Sequence, residues 1–136
     1  MNALLLATYM FLHRASPVQV PVICYHNIVE KGGTQNELYI TAAQLNLQLK
    51  GLYDSGYHTV SPDDIKNYYS KGIALPSKPV MISFDDSHKS HASVAAPLLE
   101  RYHFQGVFFI MTVTLNKKGY LSSADVVLLF KKGHTI

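Results

Sequence analysis

The stretch Lys78-Pro79-Val80-Met81-Ile82-Ser83-Phe84-Asp85-Asp86-Ser87 runs from a proline through an apolar, β-rich segment into two adjacent carboxylates. A continuous apolar run of this length reads as a strand covered on both faces, as in a parallel sheet packed between helices. Acids at the carboxyl end of such a strand fall where α/β folds keep their ligand crevice. Two neighbouring acids can divide labour there, one holding a cation and the other taking a proton from water. The competing reading is a helix cap after a strand, a position aspartate also favours.

Working outward, Val20-Pro21-Val22-Ile23-Cys24-Tyr25 reads as another buried strand, ending at His26-Asn27. Glu30 to Glu37 is a loop by composition. Thr41 caps a helix in which Leu45, Leu49 and Leu52 recur at helical spacing, and Gly56 stops it. Tyr57 to Val60 is a short strand. Ser61-Pro62-Asp63-Asp64 then gives an N-cap, a proline at the first position and acids in the first turn of a helix running to Gly72. Beyond the acids, Val94, Leu98, Leu99 and Tyr102 predict a helix from about Ser90, kinked or restarted at Pro97. Gly106 to Met111 reads as a strand, with Phe108 and Phe109 in the core. Asn116 to Tyr120 is a turn, and Ser122-Ser123-Ala124-Asp125 opens a last helix closed by Lys131-Lys132-Gly133. His134-Thr135-Ile136 starts a further strand. This alternation predicts a parallel sheet of the α/β class in one domain.

Bulk properties fit that class. The chain has 136 residues, 48% of them hydrophobic, enough for a core and too many for a disordered segment. A net charge of +3 with interspersed signs gives no basic stripe, so nucleic acid is not an expected partner. Dinucleotide and P-loop fingerprints are absent. An unrelated two-acid magnesium site for phosphate chemistry would need a phosphate-cradling loop, and none is present. The single Cys24 has no partner for an internal disulfide or a cysteine-rich metal site. Ala3 to Leu12 is nearly all apolar and too short to span a membrane; it is either a secretory-signal-like remnant or a packed helix.

Five blocks, in order, resemble the polysaccharide deacetylases of the NodB-homology type, carbohydrate esterase family 4. Pro21 to Ile28 is similar to the family strand "PVLMYHxI". Gly56 to Ile65 resembles "GYxTVSxDDL", and Leu75 to Ser87 resembles the first catalytic motif, "LPxKPVxITFDDG". Pro97 to Ile110 resembles "PILKKYGFxATFFV", and Lys132 to Ile136 resembles "xGHEI". The resemblance covers the chain from about Pro21 to its end, the N-terminal part of such a domain.

The resemblance implies a partial (β/α) barrel and a metal-dependent hydrolase that removes N-acetyl (or O-acetyl) groups from a polysaccharide. It implies Asp85 as general base, Asp86 as ligand of a divalent metal, usually zinc, and an N-acetylated polysaccharide as partner. An amide carbonyl is a poor electrophile, so such chemistry suits a polarising ion beside a basic carboxylate. His26, ending the strand beside the acids, either faces the site or is a hydrogen-bonded structural histidine. In the family two histidines of a "SHTxxH"-like segment complete the metal site. That segment follows "GHEI", and this sequence stops at Ile136. The expectation is therefore an incomplete domain, inactive or weakly active alone, or else a non-catalytic carbohydrate-binding or interaction remnant. The expected organisation is 1–19 as the apolar N-terminal segment and 20–136 as the truncated deacetylase domain. A periplasmic, extracellular or envelope location is expected, and a sheet cut midway predicts self-association through an exposed edge.

Some residues carry plainer expectations. Ser87 stands where the motif has glycine, which permits unusual backbone angles. His88 and His91, three apart, read as a solvated helix start rather than a ligand pair. His58, His103 and His134 read as structural, and Tyr68-Tyr69 as packing residues.

Overall fold

The computed structural model describes residues 18–29 and 38–136. The expected loop at 30–37 and all but the end of the expected 1–19 segment lie outside the described residues.

The acid-bearing strand is the centre of the sheet. Pro79–Phe84 (β5) is buried at five of its six positions, Met81 being partly exposed. Val22–Tyr25 (β1) pairs with it in parallel, Val22 against Met81 through Tyr25 against Phe84. His58–Thr59 (β4) pairs with its beginning and Val107–Phe108 (β6) with its end, both parallel. Backbone polarity assigns the edges. Met81 N–H and Asp85 N–H donate to Pro21 and Tyr25, while Val80 and Phe84 carbonyls accept from Val60 and Phe109. Odd and even residues of a strand bond to opposite neighbours, so β1 lies on one side of β5 and β4 and β6 share the other. Asn27–Val29 (β2) and Tyr39–Thr41 (β3) form a separate parallel pair. Parallel strands alternating with helices give a partial α/β barrel, as the sequence led us to expect.

The helices start where their caps dictate. Ala42–Asp54 (α1), Pro62–Lys71 (α2) and Ser123–Lys131 (α4) each begin with a reciprocal capping box, made by Thr41 with Gln44, Ser61 with Asp64 and Ser122 with Asp125. Gly72, at φ 69°, ends α2 in the left-handed conformation that glycine adopts without steric penalty. The helix after the acids forms in two pieces. His91–Ala95 winds as a π-helical turn, and Ala96–Arg101 (α3) continues as α-helix with Pro97 in its first turn. A proline has no N–H to return to the turn before it, so it is tolerated only at such a restart.

Two expectations are corrected. The strand predicted over Gly106 to Met111 is confined to Val107–Phe108, followed by a 3-10 turn at Thr112–Thr114. Phe109 N–H still reaches Phe84, but Met111 N–H is captured by Ser87 Oγ at 2.6 Å, which draws the chain off the sheet. Phe108 is fully buried, whereas Phe109 is 54% exposed and is not a core residue. The strand start expected at His134 exists as a parallel bridge between Val107 and Thr135.

The core lies directly beneath the carboxyl ends of β1, β5 and β6. Phe84 and Phe108 stack at 4.9 Å with planes 14° apart, and Tyr25 stacks on Phe84 at 5.5 Å. Leu45, Leu49, Leu99, Leu121 and Leu129 close around them. Burying side chains of this size contributes about 1.5–3 kcal/mol each, so the strand ends that carry the acids stand on a stiff floor.

Candidate active site

The register of β1 on β5 builds the site. Tyr25 pairs with Phe84, so the next residues of the two strands, His26 and Asp85, emerge side by side. Asp85 N–H donates to Tyr25 O at 2.9 Å, which fixes the Asp85 backbone to the end of β1. Cys24 is two residues before His26 and therefore on the same face of the chain. One ligating atom from each of Cys24, His26 and Asp85 lies within 4.8 Å of the others. Asp85 Oδ1 is buried and has no hydrogen-bond partner among the described residues.

Asp86 follows at φ 72° and Ser87 at φ 57°, two consecutive left-handed residues. The serine in the glycine position thus keeps the turn. Its side chain is fully buried and its Oγ accepts from Met111 N–H. Asp86 is half-buried beside Asp85 and outside the group formed with Cys24 and His26. The charges of both aspartates bear on Cys24 and on His91.

The neighbouring groups are shaped by desolvation. Partial burial raises the Cys24 pKa, with the charges of Asp85 and Asp86 acting in the same direction and a hydrogen bond with Ser83 opposing. The residue as a whole is exposed, so the thiol is accessible while remaining a poor thiolate without a cation. His91 is not at a solvated helix start: it is fully buried, packed at 5.5 Å from the Phe84 ring. Burial pushes its pKa down to about 4. Burial also lowers the pKa of His88, against the opposing charge of Asp86, and its ring stacks on Tyr120 at 5.6 Å. His134 is buried and structural as expected, its Nδ1 accepting from Gly106 N–H at 3.1 Å.

A cleft of about 290 Å³ opens beside Cys24 and His26, lined also by Tyr25, Tyr39, Gln44 and Gln48. Tyr25 OH donates to Gln48 Oε1 at 2.7 Å, and burial pushes the Tyr25 pKa up to about 12. The Tyr25 hydroxyl is thus a fixed donor and not an acid of the site.

The structure therefore places Asp85 and His26 together, sets Asp86 next to them, and adds Cys24 and His91, which sequence reasoning did not assign to the site. The i, i+2 spacing of Cys24 and His26 on a strand was the available signal for the first. Nothing in the local sequence marks His91 as buried.

No protein-family model matches the sequence. Among curated proteins, the chain is 23% identical over 129 residues to YxkH of Bacillus subtilis (strain 168), whose assignment as a polysaccharide deacetylase is itself provisional. That match takes in 95% of this chain and 45% of the relative. It is 28% identical over 86 residues to the poly-β-1,6-N-acetyl-D-glucosamine N-deacetylase of Escherichia coli (strain K12), covering 63% of this chain and 13% of that enzyme. The chain thus spans less than half the length of these curated relatives. Among solved structures, the Streptococcus pyogenes deacetylase PplD in complex with acetate superposes with a TM-score of 0.79 at 23% identity, over 88% of this chain and 55% of that one. IcaB from Ammonifex degensii superposes with a TM-score of 0.73 at 24% identity, over 86% and 50%. In sequence the chain is similar to part of these polysaccharide deacetylases, and it shares the fold of the solved deacetylase structures.

Proposed function

We propose that the chain, with its domain over 20–136, is the acid-bearing part of a hydrolase that removes N-acetyl (or O-acetyl) groups from a polysaccharide. The observation that carries this reading is Asp85 at the mouth of a parallel sheet, with an oxygen that no described donor occupies and a second acid adjoining it. A carboxylate oxygen free of donors is able to accept a proton. In this role Asp85 takes the proton of a water attacking the acetyl carbonyl. The carbon–nitrogen bond then breaks, acetate leaves, and the proton passes to the departing amine. His26, beside Asp85, positions that water.

Asp86 is the proposed ligand of a divalent ion, zinc by family resemblance. Such an ion, when bound, polarises the acyl oxygen. Catalytic zinc usually takes three protein ligands, and among the described residues none gathers with Asp86 to make such a set. The described residues therefore do not fit the ion at Asp86 on their own, and no step is assigned to it. We propose that the 136 residues alone are inactive or weakly active. The same observation favours a second reading, a non-catalytic carbohydrate-binding remnant. The substrate class is N-acetylated polysaccharide, with β-1,6-linked N-acetylglucosamine, named in the Escherichia coli relative, as the first to try. A polymer substrate fits a cell-envelope, periplasmic or extracellular location. The outer edge of β1 has no neighbouring strand among the described residues and exposes Val22, which supports self-association there.

The test is acetate release from β-1,6-N-acetylglucosamine oligosaccharides, with oligosaccharide binding measured alongside. Weak release that falls about a hundredfold or more in Asp85→Asn supports the hydrolase reading. Binding without any release supports the remnant. Release unchanged in both Asp85→Asn and Asp86→Asn overturns the assignment of these acids.

A further inference from the structure

We propose that Cys24, His26 and Asp85 form a three-ligand site for a thiophilic divalent cation of the zinc class, separate from any ion at Asp86. The donor set is one sulfur, one nitrogen and one oxygen, the chemistry that zinc and its borderline neighbours select over magnesium or calcium. The backbone presents it from two adjacent strands. Cys24 and His26 share a face of the chain by their i, i+2 spacing, and Asp85 sits beside His26 through the β1–β5 register. The ligating atoms already lie within 4.8 Å of one another. In a tetrahedral shell with zinc–ligand distances of about 2.0–2.3 Å they would stand roughly 3.5 Å apart. Side-chain rotation alone closes a gap of that size.

A second observation points to a missing partner. Asp85 Oδ1 is buried with no hydrogen bond among the described residues. A carboxylate oxygen withdrawn from water without a donor is destabilising, and a coordinated cation satisfies it directly. The supporting frame is rigid. Asp85 is tied through its N–H to Tyr25 O, and His91 Nε2 donates to His26 O at 2.6 Å, holding the backbone of two ligands in place. The cleft of about 290 Å³ at Cys24 and His26 leaves room for a water or an exogenous ligand to complete the shell. Coordination expels the thiol proton to solvent, so occupancy rises with pH.

The proposal does not rest on the deacetylase reading, which makes no use of a thiol. An ion held here claims the Asp85 carboxylate and competes with its role as proton acceptor.

The test uses metal alone. Titration with Co²⁺, a spectroscopic stand-in for Zn²⁺, is expected to give a thiolate-to-cobalt charge-transfer band at one ion per chain. The band is lost in Cys24→Ser and retained in Asp86→Asn, a change compatible with the left-handed backbone at that position. As a check needing no variant, Zn²⁺ is expected to slow iodoacetamide alkylation of Cys24, the sole cysteine, because a metal-held thiolate is no longer the free nucleophile. Absence of the band overturns the site, as does an alkylation rate indifferent to Zn²⁺. A band that vanishes in Asp86→Asn and survives in Asp85→Asn also overturns it, by moving the ion to Asp86. None of these failures bears on acetate release.

Discussion

His91 Nε2 donates to the backbone carbonyl of His26 across 2.6 Å, joining residues 65 apart in the chain at the base of the acidic crevice. A carbonyl only accepts, so the imidazole proton is on Nε2. Nδ1 is then a bare acceptor, buried and without a partner among the described residues. Burial against the Phe84 and Phe108 rings, aided by the nearby His88, holds the histidine neutral and outweighs the His26 carbonyl and the charges of Asp86 and Asp85, which favour its protonated form.

Stability is therefore expected to fall as the solution is acidified through this histidine's window. Its pKa is about 4 folded against 6.5 unexposed to the fold. Between those values the unfolded chain binds the proton and the folded chain does not, so stability present above pH 6.5 is lost progressively down to about pH 4. The loss is on the order of 3 kcal/mol. Urea unfolding at pH 7.5 and 4.5 measures it, and His91→Gln is expected to flatten that part of the profile. A wild-type profile flat across the window would show that His91 is not a buried neutral group.

Asp125 governs a separate, more acidic window. Burial acts to raise its pKa, but hydrogen bonds from Lys89 and Ser122 overcome this and bring it from 3.8 to about 2. Its contribution is complete above pH 3.8 and disappears as the pH drops towards 2. Ser122→Ala removes the reciprocal cap and is expected to cost about 1 kcal/mol at neutral pH. A second, acid-side transition that persists unchanged in Asp125→Asn would contradict this role.

Ser87 combines a left-handed backbone with a buried hydrogen bond from Met111 N–H. Ser87→Gly relieves the backbone strain and loses the acceptor, so the two changes nearly offset. Ser87→Ala keeps the strain and loses the acceptor, and is expected to be less stable than wild type by about 1–2 kcal/mol. Thermal unfolding of both variants beside wild type separates the two effects: a Ser87→Ala protein as stable as wild type would mean that the hydroxyl contributes nothing, and equal stabilities of the two variants would mean that the left-handed backbone carries no strain.

Gly106 is a site of close approach. A Cβ there would meet Leu99 Cδ1 at 2.9 Å and the Phe108 and Phe84 rings at 3.1 and 3.2 Å. Gly106→Ala is expected to destabilise by about 1–3 kcal/mol through overpacking. Near-ultraviolet circular dichroism should register the disturbed phenylalanine stack. An unchanged melting temperature would show that the Leu99 side chain yields at no cost.

Much of the fold was legible because its determinants are local. Ser61-Pro62-Asp63-Asp64 carries its own cap, first-turn proline and favourable charges, and the observed helix begins at Pro62. The run Val80 to Phe84 is apolar at each position save one serine, and its shortness and the proline before it mark it as a covered strand. The strand after Gly106 was overestimated for the opposite reason. Its end is set by a hydrogen bond from Met111 to Ser87, 24 residues away, which no local pattern encodes. Helical periodicity likewise placed His91 near a helix start without revealing that its ring faces the aromatic core.

The sequence by itself determined the alternation of strands and helices, the caps that begin the helices, and the paired acids at the end of a buried strand. These follow from side-chain period, backbone restriction and short-range hydrogen bonding. Only the tertiary structure decided which residues meet those acids. The parallel register of β1 on β5 sets Cys24 and His26 against Asp85, and that register is a property of two segments about 60 positions apart. Proximity of this kind comes from sheet pairing and burial acting between distant parts of the chain, so it appears only once the chain has folded.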